Sequence, residues 1–387
     1  MKSIALLLIS LVPAPSLRAA DWLWQPAFEW RMDNQSNRLL SNTDATASQA
    51  VWLSFDASLK RDTEDSELSL RPHFGIQRFV NESRLNSEDG SLQAAGRWLF
   101  EYSQFALSAD AARVSTLITE LSETGIVDAN GRRNVLDANA SWSQNIAPQS
   151  ELDTQLGVSD IKYPDGLRQG LVSYRYTSAS LSLARRQSDY LTWNLTAFGG
   201  DLDAPLALTK SRDLGLRAGL TRALSLVMRL DLSAGITNTR LEDFFGSRND
   251  RSQVWLAKLT RATEMGQWSL SAERNIVPNG RGVLARRDEL ALGFSRPLSA
   301  MLTASLGLHA IRNADRGTSG LNSDDYRYYT GEAALARTLT QAWTLALRVG
   351  ANNAQRLASD TDAHGWYAAV TLDWAPGARA IRDWDLL

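Results

Sequence analysis

Few side chains in this sequence are suited to acid–base or metal chemistry. There are three histidines, His73, His309 and His364, and no cysteine at all. Without cysteine there are no disulfides, no thiolate metal sites, no thiol nucleophile and no lipid anchor on an N-terminal cysteine. A hydrolytic site would need a serine or aspartate held beside one of the histidines. The three lie far apart in sequence, and no motif ties any of them to a partner. His73 and His309 alternate with polar neighbours, which places them in a hydrated interior, and His364 falls at a loop edge. The acidic stretches Asp324-Asp325 and Asp360 to Asp362 read as solvated loop charges, with calcium or a divalent bridge to lipopolysaccharide as the alternative. No phosphate-binding glycine loop and no zinc spacing is present. The expectation is therefore a protein that is not an enzyme and carries no cofactor or metal. A net charge of −2 also gives no electrostatic case for a nucleic-acid partner.

A second set of charges is more informative. Arg71, Arg186, Arg217, Arg229 and Arg348, with Asp56, Asp153, Asp231 and Glu273, fall on the polar phase of segments in which apolar residues recur at every second position. Their meaning depends on the elements that carry them. Leu224, Leu226, Met228, Leu230, Leu232, Ala234 and Ile236 show the pattern most clearly, with Ser225, Arg229, Asp231, Ser233, Gly235 and Thr237 between them. A period of two is that of a β-strand, whose successive side chains point to opposite faces. Read as one strand, the segment is longer than the five or six residues usual in globular proteins. The same alternation recurs along nearly the whole chain, which predicts a transmembrane β-barrel with one face toward lipid and the other toward a polar lumen. An Arg or Lys on the lipid face near the midplane costs about 2–4 kcal/mol, so cost and phase both direct the nine charged residues inward.

Bulk properties agree. Hydrophobic residues make up 44 % of the chain and mean hydropathy is −0.26, as expected when only alternate strand residues meet lipid. Thirteen tryptophans, several near strand ends, suit membrane interfaces. Past the N-terminus no apolar run approaches the ~18–20 residues of a spanning helix.

The strands read as 22–32, one around 51–60, one around 66–77, then 91–103, 104–116, 132–146, 150–163, 168–187, 190–202, 211–222, 224–241, 251–262, 267–277, 284–297, 301–314, 325–339, 343–356 and 363–375. The count is eighteen, within a range of 16–18, and describes a single all-β, antiparallel, up-and-down barrel. Polar connectors near 33–48, 80–90, 117–131, 164–167, 203–210, 242–250, 278–283, 315–324 and 357–362, mostly long, alternate with short ones such as 147–149, 188–189, 263–266, 297–300 and 340–342. Long extracellular loops alternating with short periplasmic turns are expected of bacterial barrels, and an even strand number puts both termini in the periplasm. Leu117–Arg133 begins apolar (Leu117, Ile118, Leu121) and is expected either to fold inward as a constriction or to extend outside.

At the N-terminus, Lys2, the short apolar core Ile4–Val12, the breaks at Pro13 and Pro15 and the small residues Ala19 and Ala20 form a secretory signal peptide. The expected organisation is a signal peptide over 1–20, a barrel over 21–375 and a periplasmic tail over 376–387. The strand starting at Trp22 leaves no room for an N-terminal plug. The final strand ends in the aromatic Trp374, a form that barrel assembly machinery recognises, although the chain runs on for thirteen residues.

The layout resembles the porin-like outer-membrane β-barrels associated with exopolysaccharide and exosortase (PEP-CTERM) gene clusters. The likeness lies in Trp24, Pro26 and Asp33-Asn34 of the opening strand. It lies also in Arg132-Arg133 leading to Ser141-Trp142 and on to Asp160 and Tyr163. A third segment joins Trp268-Ser269-Leu270-Ser271 to Pro278-Asn279-Gly280-Arg281-Gly282 and Leu290 to Phe294, and Leu339-Thr340 to Leu345 adds a turn-and-strand phrase. The resemblance covers the whole mature chain. It implies an outer-membrane location and a link to polysaccharide export or biofilm matrix, and it supplies no catalytic residues.

The functional expectation is a porin-like channel whose lumen carries mixed charge, wide enough at eighteen strands for an aqueous path. The alternative is a non-conducting structural barrel within a polysaccharide-export or surface-assembly complex. Expected partners are outer-membrane lipid and lipopolysaccharide, the barrel assembly machinery during insertion, and polysaccharide or export-complex proteins.

Overall fold

The structure, a computed structural model, describes residues 22–41, 45–123, 131–166, 170–244, 246–315, 325–356 and 361–381. The expected signal peptide, Asp324 and Asp360 lie outside them. Eighteen long strands follow one another around a closed antiparallel barrel, each paired with its sequence neighbours, and β1 pairs with β18 to close it. They are β1 (Trp22–Gln35), β2 (Ser48–Asp62), β3 (Ser66–Phe79), β4 (Ser87–Leu99), β5 (Ser103–Ser115), β6 (Arg132–Ala147), β7 (Ser150–Lys162), β8 (Tyr174–Ser188) and β9 (Leu191–Ala204). The second half comprises β10 (Thr209–Ser225), β11 (Met228–Asp243), β12 (Gly246–Thr263), β13 (Gly266–Pro278), β14 (Leu284–Ser299), β15 (Leu302–Asp315), β16 (Tyr326–Thr338), β17 (Trp343–Arg356) and β18 (Thr361–Trp374). Closure pairs each strand on both sides along most of its length, the β12–β13 ladder ending at Trp255↔Arg274, and ladder pairing satisfies backbone polar groups without water, the condition for spanning a bilayer. No helix among the described residues is long and apolar enough to cross a membrane.

Short connectors gather at one end of the barrel (the turn end) and long ones at the other (the loop end). The outer face carries the exposed apolar residues, among them Leu156, Leu181, Leu195, Leu216, Leu232, Leu290, Leu347 and Val370. At the loop end it also carries cross-strand ion pairs: Arg175–Asp160 at 3.2 Å, Arg212–Asp201 at 3.1 Å and Arg312–Asp325 at 3.0 Å. Tryptophans mark the turn end, where the rings of Trp343 and Trp374 lie 6.5 Å apart. An apolar band bordered by charge on one side and aromatic rings on the other is the outer profile expected in a bilayer.

Three expectations need correction. The alternating run from Leu224 to Ile236 is not one strand: β10 ends at Ser225, Leu226 and Val227 form a turn, and β11 begins at Met228. The ladder shifts by one residue between Ala223 and Ser225. That bulge keeps even-numbered residues on the outer face on both sides of the turn, so the alternation runs through it unbroken. Secondly, the fourth and fifth strands are separated by a turn at 100–102, where Phe100 N donates to Ser103 O at 2.8 Å. Both lie nearer the N-terminus than their sequence pattern suggests. Thirdly, the tail does not simply hang free. β18 reaches β1 only as far as Phe28, and a short β19 (Arg379–Ile381) pairs with Trp22–Trp24 instead. Pro376 and Gly377 fall in the break between β18 and β19.

Candidate functional site

The inner face changes character along the barrel axis. At the loop end several connectors turn inward and pack. Ile161 on β7, Tyr174 on β8, and Leu202 and Ala204 on β9 form one buried cluster with Tyr163 and Leu171 from the β7–β8 connector. Leu284 of β14 joins the same cluster. Four strands separate β9 from β14 in the wall, so this contact crosses the lumen. It is reinforced where Val172 N donates to Gly280 O at 2.7 Å. Gly282, in a left-handed conformation at φ +73°, sits so close to the opposite wall that an added Cβ would lie 2.7 Å from the Ala204 Cβ. A side chain here would meet both backbone strain and a clash.

The segment Leu117–Arg133, expected to be an inward constriction or an outer extension, opens as a short helix, α1 (Thr116–Glu123). Glu120 on it is fully buried. The Tyr163 hydroxyl donates to it at 2.7 Å, and the Arg133 guanidinium approaches to 3.8 Å. Burial, with Glu120 alongside, pushes the Tyr163 phenol well above its usual range and keeps it protonated. Leu117 packs against Ala50, Phe79 and Leu85, together with Leu39 and Trp52. The β1–β2 connector also turns in: Leu40 meets Ile311, Tyr326, Tyr328 and Ala354, and the Arg38 guanidinium lies 4.8 Å from the Phe79 ring centroid and pairs with Asp33. A cavity of about 200 Å³ remains beneath these elements, lined among others by Arg31, Trp52, Gln77, Tyr328, Asn352 and Tyr367.

Nearer the turn end the inner face is less filled. A cavity of about 680 Å³ runs along β3 to β9, with Glu67, Ser69, Arg97, Ser108, Asn139, Ser141, Gln155, Ser178 and Ser180 in its lining. The facing arc, from β13 through β18 and β1 to β3, carries the charges. Arg348 lies 3.8 Å from Glu332, which accepts a hydrogen bond from Tyr367 at 2.5 Å. Arg287 pairs with Glu289 at 3.1 Å.

Of the nine charged residues read from the sequence, Asp56, Arg71, Glu273 and Arg348 fall on the charged arc, Asp153 and Arg186 on the cavity arc, and Arg217, Arg229 and Asp231 on β10 and β11 between them; the cross-strand register puts each on the face opposite the exposed apolar residues. Asp56 contacts His73 Nδ1 at 2.7 Å, with Arg71 on the same face of β3. Asp153 stands opposite Ser143 and Ser182, and Arg186 opposite Thr192. Arg217 lies over the Phe198 ring at 5.8 Å. Arg229 and Asp231 are ion-paired at 3.0 Å, and Thr221 donates to Asp231 at 2.7 Å. Glu273 faces Glu289 across the β13–β14 ladder. They are spread around the circumference rather than gathered in one cluster, and of the nine only Arg229 and Asp231 pair with each other in the ion pairs described.

His309 Nε2 meets Glu289 at 2.7 Å, so both inward histidines are matched to a carboxylate that sequence spacing did not reveal. His364 stands opposite Asn353. Asp325 pairs with Arg312, and Asp362 accepts from Asn353 at 2.7 Å. Among the described residues, no group of three His, Asp or Glu could hold a metal ion. Sequence reading also passed over Arg31, Glu289 and Glu332, whose inward phase was legible on their strands. Glu120 lies in a connector and had no periodic signal to mark it, and Tyr163, read as the last residue of a strand, falls just past the end of β7.

No family model and no curated protein matches the chain. Solved structures do. OccAB4 of Acinetobacter baumannii aligns with TM-score 0.50 and 9 % identity, covering 94 % of this chain and 99 % of its own. OccK2 (OpdF) of Pseudomonas aeruginosa, determined in complex with glucuronate, aligns with TM-score 0.49 and 12 % identity over 91 % and 98 % of the two chains. The outer membrane protein opdK of the same organism aligns at 0.49 and 10 % over 92 % and 99 %. At these identities the likeness is one of fold: a closed antiparallel barrel of the kind that fits an outer membrane.

Proposed function

We propose that this barrel is a porin-like channel of the outer membrane that passes hydrophilic solutes along its lumen. The observation that carries the reading is the cavity of about 680 Å³ along β3 to β9, whose lining includes the hydroxyl and amide side chains of Ser108, Asn139, Gln155 and Ser178 and which is faced by an arc that carries charges. A barrel that served only as a scaffold would have no need to keep this volume polar and unfilled. In this reading the long connectors face outward and the turns and both termini face the periplasm. Arg71, Arg186, Arg217, Arg229, Arg348, Asp56, Asp153, Asp231 and Glu273 line the path and set the field a solute crosses. Saccharides are the proposed solute class, because Ser, Asn and Gln side chains match hydroxyl groups without demanding charge. A link to exopolysaccharide export or biofilm matrix is supported by the sequence resemblance in the opening strand and over 268–294.

Refolded protein in a planar bilayer tests this. Discrete conductance steps, reduced by an oligosaccharide, are expected. Folded protein that inserts yet stays silent would favour the second reading, a non-conducting barrel in a polysaccharide-export or surface-assembly complex. The cross-lumen packing at the loop end is the observation on that side.

A further inference from the structure

Two aromatic rings on the inner wall of β8 and β9 are seated on glycines. In one row of the ladder Asn139, Gly157, Ser178 and Gly200 stand side by side on the inner face of β6 to β9. Gly157 leaves a gap that its neighbours enter: Asn139 Oδ1 and Ser178 Oγ each lie 2.8 Å from where its Cβ would be. Gly200 is covered by the tip of the Tyr176 ring, whose Cζ lies 2.5 Å from the missing Cβ. Phe198 covers Gly215 of β10, its cross-strand partner, in the same way, with Cε2 2.8 Å from that Cβ position. A side chain at either glycine would push the ring off the wall and into the bore. Without one, both rings lie along the wall and border the cavity of about 680 Å³. The Arg217 guanidinium stands 5.8 Å from the centre of the Phe198 ring.

The polar groups around the rings are uncommitted. Among the described residues, Ser108, Asn139, Gln155 and Ser178 border this cavity without a hydrogen-bond partner. On the charged arc, by contrast, the polar groups engage one another, as in Arg348–Glu332–Tyr367 and Arg287–Glu289–His309. The two charges in the lining of the cavity, Glu67 and Arg97, pair with each other at 2.7 Å, so the surface favours a neutral ligand.

A sugar ring has two kinds of surface. Its faces carry C–H groups of slight positive charge, which suit the negative face of an aromatic ring. Its rim carries hydroxyls that both donate and accept. Aromatic surface beside free hydroxyl and amide groups meets both needs at once. The row from Asn139 to Gly200 spans three inter-strand spacings of about 4.8 Å, about 14 Å in all, which suits a short chain of sugars rather than a single one.

Resting on the channel reading, which brings solute to the lumen, we infer that this patch is a binding site for a neutral oligosaccharide. Tyr176 and Phe198 are its stacking surface, Asn139, Gln155 and Ser178 bond the hydroxyls, and Arg217 donates at its edge. Gly200 and Gly215 are positioning residues that keep the rings against the wall.

Calorimetric titration of refolded protein, in a detergent without a sugar headgroup, tests the site without requiring conduction. The probes are maltopentaose and cellopentaose, and saturable binding of at least one is expected. Tyr176→Leu and Phe198→Leu are each expected to weaken it about tenfold, the equivalent of about 1.4 kcal/mol for a lost ring contact. Tyr176→Phe keeps the ring and is expected to leave binding unchanged. Should the leucine variants fail to fold, Gly200→Ala takes their place. The three atoms nearest a Cβ there all belong to the Tyr176 side chain, so the change displaces the ring without meeting backbone, and the same loss is expected. Wild-type affinity in the folded variants, or no binding of either sugar by folded wild type, overturns the site. Current steps in a bilayer without binding overturn the site and leave the channel reading standing. Ring-dependent binding by a protein that conducts nothing overturns the channel reading and leaves the site standing.

Discussion

The two ends of the lumen are built from the same strands and behave as different materials. At the loop end, Tyr163, Leu171, Leu202, Leu284 and Glu120 are buried in contacts that cross the barrel, much as in a soluble core. Toward the turn end, Ser108, Asn139, Gln155 and Ser178 border open space. The difference lies in the connectors. Tight turns at one end have nothing to contribute to the interior, whereas long connectors at the other carry apolar residues that must be buried, and the lumen is the available volume. Connectors 36–41 and 279–283, which the sequence marks only as long and polar, turn inward, and 116–123 takes the inward course of the two open to Leu117–Arg133. Narrowing is a property of one end of the bore.

The largest expected effect comes from removing part of the packed end. Deleting Asn279–Val283 and joining the strands through two glycines takes away the cross-lumen contact. Single-channel conductance should then rise severalfold, and an unchanged value would place the narrowest point elsewhere. Next is Glu120→Ala, which strips the buried partner from Tyr163 and Arg133. Breaking a buried charge pair from one side costs about 3–5 kcal/mol. The urea midpoint of the folded barrel in detergent should fall accordingly, and a shift close to zero would show that the packed end bears little on stability.

The arcs nearer the turn end invite a comparison of their own. Arg348→Glu alters the charged arc and should move the reversal potential in a salt gradient toward cation selectivity. Ser180→Ala on the hydroxyl arc should leave that potential in place while weakening block by an oligosaccharide. Equal effects from the two changes would erase the distinction between the arcs. The smallest effect is expected outside the lumen. Trp343→Ala removes one ring of the Trp343–Trp374 pair at the turn end, worth about 0.5–1.5 kcal/mol beyond area burial. It should lower the urea midpoint slightly and leave conductance unchanged.

Much of this architecture was legible from alternation alone. Strand number and barrel class follow from a period of two. Alternation also has a blind spot. Where a one-residue bulge accompanies a two-residue turn, as at Ala223–Met228, the phase is preserved and two strands read as one. What stayed hidden shares a different cause. Glu120–Tyr163, Val172–Gly280 and Leu40 against Tyr328 join residues outside the regular ladder, where no period fixes direction. The early parting of β13 from β12 was invisible because both strands keep their alternation past the point where they separate.

Conductance of the unmodified protein bears most directly on the central claim. Mature protein refolded in detergent, verified as folded by heat-dependent migration and inserted into a planar bilayer, should give discrete current steps that an added oligosaccharide reduces. Folded, inserted protein that passes no current under any applied potential would contradict the account.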